Sequence, residues 1–179
     1  WYGAPTMSPA QAQEVANRSA ADLRWLDTAF KRAVADNTIA MVIQLQSDMW
    51  DLDGKAASHL AQYKQFIDAI ATAAKAYGKP VLLLNGDSHI YRSDNPLVPG
   101  ATCLIEPSSG QAAVPCSDDA YANQPNGYNV PNFHRIVVHG STTPLEWIKL
   151  TIDPSYDTKA AAGPTRFGPF SWTRMQPAL

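Results

Sequence analysis

The run Val81-Leu82-Leu83-Leu84 limits the possible folds more than any other segment of this chain. Four consecutive apolar residues of strand length, with no polar residue on either face, describe a strand buried on both sides, as in sheets covered by helices. The segment before it reads as a helix starting near Ser58. Its apolar residues Tyr63, Phe66, Ile67, Ile70, Ala74 and Tyr77 recur at helical steps, and Gly78-Lys79-Pro80 closes it. Further upstream, residues 39–45 form a β-branched and apolar run of strand length. Before that, Ser8-Pro9 opens a helix whose apolar residues are Val15, Leu23, Leu26, Phe30 and Val34, with Asn37-Thr38 ending it. Helix, strand, helix, strand with short connections predicts parallel pairing through a right-handed crossover. The expected class is α/β, a mostly parallel core sheet with flanking helices.

The rest of the chain adds β-structure. Residues 94–132 are loop-like, with prolines at 96, 99, 107, 115, 125 and 131; a loop this long in a compact domain is functional or stapled down. Additional C-terminal β-strands are predicted over 135–139, 145–152 and 167–174, the first two joined by Gly140-Ser141-Thr142-Thr143-Pro144 as a hairpin or short crossover. No internal repeat or linker divides the chain, so residues 1–179 read as one domain. With a formal net charge of -2 and its fourteen basic residues scattered, the chain has no nucleic-acid footprint. No apolar run is long enough for a membrane span. The sequence opens Trp1-Tyr2-Gly3 without a Met or a signal segment, compatible with a mature chain, an excised segment or a proteolytic product.

Cys103 and Cys116 share one Pro-, Ser- and Gly-rich stretch. A disulfide there would tie down a segment with little pattern of its own and stabilise it by about 3 kcal/mol on the chain-entropy model; the alternative is two free thiols. The disulfide is the expectation, and with it a periplasmic or secreted location.

In open parallel sheets ligands gather at the carboxyl ends of the strands. Both predicted strands end there in ligand-capable residues, Gln46-Ser47-Asp48 after the first and Asn85-Gly86-Asp87-Ser88-His89 after the second. Gly86 allows a sharp turn close to a ligand. If extended geometry persists for two residues beyond the strand, Asp87 and His89 share a side, where a carboxylate and an imidazole suit zinc, manganese or iron. The plainer reading is a polar turn with His89 held by backbone hydrogen bonds.

The element "VLLLNGDSH" resembles the Gly-His-x-His motif of calcineurin-like metallophosphoesterases, with Asp87 in place of the first His and His89 as the second. The strand "MVIQLQSDMW" is similar to the family element that ends in a metal-binding His, a position that falls on Gln46, or less well on Gln44. The helix from Arg18 to Phe30 and the segments "NFHRIVVHG" and "EWIKLTIDP" resemble a secreted bacterial branch, so the similarity runs over most of the chain. The resemblance implies the C-terminal portion of a phosphoester hydrolase, half of a four-layer sandwich. Gln46, Asp87 and His89 would be metal ligands, Asp87 and His89 would act in catalysis, and two ions (Mn, Zn or Fe) would serve the intact site. Two departures accompany it. Gln46 and Asp87 replace histidines, and the family's Asp-x-His, Gly-Asp-x-x-Asp and Gly-Asn-His motifs are absent from these residues. The implied partners are an N-terminal half of the same domain, or self-association, and a phosphoester substrate. The competing reading is a secreted, non-catalytic binding or structural domain with a degenerate metal site.

Other residues carry less. His139 ends the strand "RIVVHG" and is expected to be hydrogen-bonded rather than catalytic; His134 and His59 read as surface or partly buried. Asp48, Asp51 and Asp53 miss the EF-hand spacing and read as a solvated loop, with Asp48 the one nearest the site. Tyr91, Arg92 and Asp94 are placed to shape a pocket, and Trp25, Trp50, Trp147 and Trp172 suit core and rim packing. Gly86-Asp87-Ser88 also matches the nucleophile block of lipase-like serine hydrolases, but no later Asp-x-x-His supplies a base.

Overall fold

The computed structural model of the chain describes residues 6–51, 61–123, 127–155, 163 and 165–176. His59, Asp53 and the expected helix start at Ser58 lie outside these residues. Helix α1 (Pro9–Ala35) begins as its sequence predicts: the Ser8 hydroxyl accepts from the Gln11 amide and the Gln11 side chain returns the bond to Ser8 N–H, with Pro9 in the first turn. Of its residues Ser19, Phe30 and Ala33 are buried, whereas Val34, the last of the apolar residues at helical spacing, is 61% exposed. The N-terminal half of α1 is instead supported along its own surface, by Glu14–Arg18 and Gln13–Asn17 one turn apart.

Strand β1 (Met41–Gln44) pairs in parallel with β2 (Val81–Asn85), and α2 (Lys64–Tyr77) makes the crossover. Gly78 ends α2 in the left-handed conformation (φ 70°), where a Cβ would be strained. On its other side β2 pairs in parallel with β6 (Phe133–Val137), and β3 (Arg92–Asp94) pairs antiparallel with β6. β4 (Leu104–Ile105) and β5 (Val114–Pro115) extend the edge, giving a six-stranded sheet in the order β1-β2-β6-β3-β4-β5. The sheet is therefore mixed. Its three parallel strands form the centre of the core, and the expectation of a mostly parallel sheet holds for them alone.

The segment 94–132 is less featureless than its prolines suggest, since it contains β4, β5 and a 3₁₀ turn at Ala120–Asn123. The disulfide Cys103–Cys116 lies beside the β4–β5 pair, with Cys116 N–H also bonded to Cys103 C=O (3.1 Å). After β6 the chain leaves this sheet. β7 (Trp147–Ile152), β8 (Arg166–Phe167) and β9 (Phe170–Met175) form a separate antiparallel sheet in the order β7-β9-β8. Residues 140–144 thus carry the chain between two sheets rather than closing a hairpin.

Side-chain alternation assigns the layers. Val81, Leu83 and Phe133 face α1 and α2, packing with Phe30, Ile67, Ile70, Ala74 and Trp50. Leu82 and Ile136 face the small sheet and pack on Phe167, Phe170 and Trp172. Each such apolar side chain contributes roughly 1.5–3 kcal/mol on burial. The chain is thus an α/β protein of three layers: helices, a mixed sheet and a small antiparallel sheet. Among the described residues no helix is long and apolar enough to cross a membrane.

Candidate site at the carboxyl edge of the parallel strands

Strands β1 and β2 run in register from Met41↔Val81 to Gln44↔Leu84, so the residues that follow them emerge side by side. Gly86 N–H donates to Gln46 C=O at 3.1 Å. A Cβ built on Gly86 would touch the Gln46 side-chain amide, 3.6 Å from both Nε2 and Oε1. Gln46 thus sits directly against the root of the Asp87-Ser88-His89 turn. The extended geometry assumed for this turn is not what the backbone adopts: Asp87 (φ 77°) and His89 (φ 63°) are both left-handed, on either side of Ser88. His89 and Gln46 are exposed, and Asp87 is half-buried.

Beneath the turn lies a buried polar chain. Ser88 Oγ donates to Asp48 Oδ2 at 2.5 Å, while Asp48 Oδ1 accepts from Arg135 Nη1 (2.5 Å) and the Trp50 amide (3.1 Å). Arg135 also forks onto Asp94, Nε to Oδ1 at 2.8 Å and Nη2 to Oδ2 at 2.7 Å, and its guanidinium stands 5.0 Å over the Trp50 ring. Asp94 takes a further bond from Arg92 Nε (2.6 Å), and Arg92 Nη1 reaches Asp118. Arg135, Asp48 and Asp94 are all at least 95% buried. Burial pushes the Asp94 carboxyl up, but the charge and hydrogen bonds of Arg135 and Arg92 outweigh it and hold it below the usual carboxylate range. Burial disfavours the Arg135 cation, yet Asp48 and Asp94 more than compensate and raise its pKa further.

A cavity of about 560 Å³ opens beside this chain, lined by Asp48, Trp50, Ser88, Arg92, Asp118 and Arg135 among others. Arg92 lines it as its position after His89 suggests. Asp94 lies buried behind, and Tyr91 turns to the other layer, where its hydroxyl accepts from Trp172 Nε1 (2.9 Å). Asp48 is no solvated loop residue but the buried partner of Arg135. Arg135 itself was not anticipated; the visible signal is a cation inside Phe133-His134-Arg135-Ile136-Val137, a strand buried at every position. Trp50 and Trp172 pack in the core, whereas Trp25 and Trp147 are exposed.

His139 and His134 are structural. His139 is buried, with Nδ1 on Glu106 (2.8 Å) and Nε2 near Pro144 C=O and Thr142 Oγ1 (both 3.0 Å), tying residues 140–144 to the sheet. His134 is buried too, rather than near the surface. It bonds Ser93 Oγ (2.9 Å) and stacks on Phe167, and burial pushes its pKa down to about 4.

As metal donors, Gln46, Asp87 and His89 offer one neutral amide, one carboxylate and one imidazole on adjoining loops. Among the described residues no three His, Cys, Asp or Glu side chains cluster as a metal site. The set fits a portion of a site for a borderline ion, and further ligands are needed to complete it. Comparison of the chain with protein families, curated proteins and solved structures returns no match.

Proposed function

We propose that this chain is the C-terminal portion of a calcineurin-like metallophosphoesterase, half of a four-layer sandwich, contributing Gln46, Asp87 and His89 to a metal-dependent phosphoester hydrolase. One observation carries the reading: two adjacent parallel strands end together, and the Gln46 amide packs on Gly86 at the base of Asp87-Ser88-His89. Bound metal would supply Lewis-acid polarisation of the phosphate and an activated water. Gln46 would contribute its amide oxygen, Asp87 its carboxylate and His89 its imidazole, with the remaining ligands coming from a segment outside this sequence. The intramolecular disulfide is compatible with an oxidising, periplasmic or secreted setting.

The test is hydrolysis of an aryl phosphate with Mn, Zn or Fe by the protein carrying whatever its gene encodes upstream of Trp1. The expected result is metal-dependent turnover that falls by about 100-fold or more in His89→Ala, on the scale of losing a ligand or its support. Full activity in both His89→Ala and Asp87→Ala would reject the site. Absence of turnover with any metal would favour the non-catalytic binding domain, for which the replacement of two histidines by Gln46 and Asp87 is the supporting feature.

A further inference from the structure

We propose that Asp48 is a positioning residue: anchored by Arg135, it holds the Asp87-Ser88-His89 turn through the Ser88 hydroxyl and so sets where Asp87 and His89 stand. The turn places two residues with side chains in the left-handed region, one on each side of Ser88. Such backbone persists only where surrounding contacts over-determine it. Backbone bonds supply part of the restraint, from Gly86 N–H to Gln46 C=O and from Ser88 N–H to Gly86 C=O. The Ser88 side chain supplies a tether into the core, a charge-assisted bond of 2.5 Å to Asp48 Oδ2.

That tether is rigid because of what stands behind it. The second oxygen of Asp48 is already taken by Arg135 Nη1 and the Trp50 amide. Arg135, 1% exposed, is in turn locked on both oxygens of Asp94. Asp48 cannot rotate toward or away from Ser88 without breaking a buried ion pair. The turn after β2 is thereby fastened by side chains to β6 and β3, the next two strands of the sheet, beside the backbone bond from Gly140 N–H to His89 C=O (3.4 Å). In its bearing on metal the inference rests on the phosphoester reading; in its bearing on the turn it stands without it.

Ser88→Ala and Ser88→Thr in the isotopically labelled chain test it by NMR. Left-handed residues give a strong intraresidue amide–Hα Overhauser contact and a distinctive amide–Hα coupling. Ser88→Ala is expected to lose this signature at Asp87 and His89 with the thermal midpoint little changed, and Ser88→Thr, which keeps the hydroxyl, to restore it. Broadening of the His89 ring signals by Mn(II) should then require about tenfold more metal in Ser88→Ala, the usual cost of removing a supporting partner. Retention of the left-handed signature in Ser88→Ala overturns the positioning role. Loss of the signature together with a His89 ring that does not respond to Mn(II) even in the unsubstituted chain upholds the positioning role and counts against the metal reading instead.

Discussion

Arg135 shows how one residue ties the site to the core. Its guanidinium is buried and meets the carboxylates of Asp48 and Asp94. Replacing it by Met leaves the buried Asp48 carboxylate without its cation and Asp94 with Arg92 alone, and the expected loss is about 3–5 kcal/mol, read as a shift in urea midpoint. Replacing all three by apolar residues should cost less than Arg135→Met alone, because the cost lies in the orphaned charges. His134 makes the matching prediction for pH. Its folded pKa, about 4, lies below the unfolded value of 6.5, so the unfolded chain takes up the proton first as pH falls. Its contribution is fully present above 6.5 and is lost progressively between 6.5 and 4. The depressed Asp94 and Glu106 carboxyls extend the loss to lower pH. For Glu106, burial pushes the pKa up, but hydrogen bonds from His139 and the Tyr91 and Gly110 amides outweigh it. His134→Phe should flatten the dependence of the urea midpoint between 6.5 and 4 without removing the steeper fall below; an unchanged slope would show that another group carries it.

At the scale of elements, legibility in the sequence followed the length of the pattern. β2 and α2 were readable because several residues repeat one period, and the Gly78 stop agrees with its left-handed φ. β4 and β5, two residues each, are too short to show any period and exist through pairing with β3 and each other. The sequence places β6 over 135–139, two residues late, because His134 reads as a surface or partly buried residue, although stacking on Phe167 holds it in the core. The edge that carries the candidate site was visible in Gln46 and Asp87-Ser88-His89. The network holding it was not, since Asp48 and Arg135 meet across 87 positions of chain. The disulfide was legible from context and now has a structural task. It closes the β4–β5 pair, its cysteines standing 13 positions apart, and so sets the strand that leads to Asp118, the partner of Arg92. Cys103→Ser with Cys116→Ser should destabilise the chain by about 3 kcal/mol in chemical denaturation, the entropy cost of reopening a loop of that size. Non-reducing mass spectrometry of the unsubstituted chain should find two hydrogens fewer than the free-thiol mass, and quantitative thiol labelling would count against both the bond and the oxidising location.

At the scale of the whole molecule, the packing is asymmetric. The helix-side and small-sheet-side clusters cover both faces of β2 and β6, but among the described residues β1 is paired on one side only, and Val42 on it is 40% exposed. On α1, Trp25 is 75% exposed, and β7, the edge of the small sheet, exposes Trp147 and Ile152. Single exposed apolar residues are ordinary, but several on two sheet edges and a helix leave apolar surface of the kind that association covers. On the proposed reading the candidate site is equally unfinished, since Gln46, Asp87 and His89 bring three groups and no cluster of three His, Cys, Asp or Glu side chains stands among the described residues. Both features follow from the same cause if a further portion of the domain completes the site and the sheet edge together. The chain expressed alone should therefore show no metal-dependent hydrolysis of an aryl phosphate with manganese, zinc or iron. Light scattering coupled to size exclusion should find it self-associating as concentration rises. Val42→Lys, which places a charge on the edge strand, should reduce that association if it runs through β1. Clear metal-dependent turnover by a monomeric preparation free of any second fragment would show that these 179 residues hold a working site of their own.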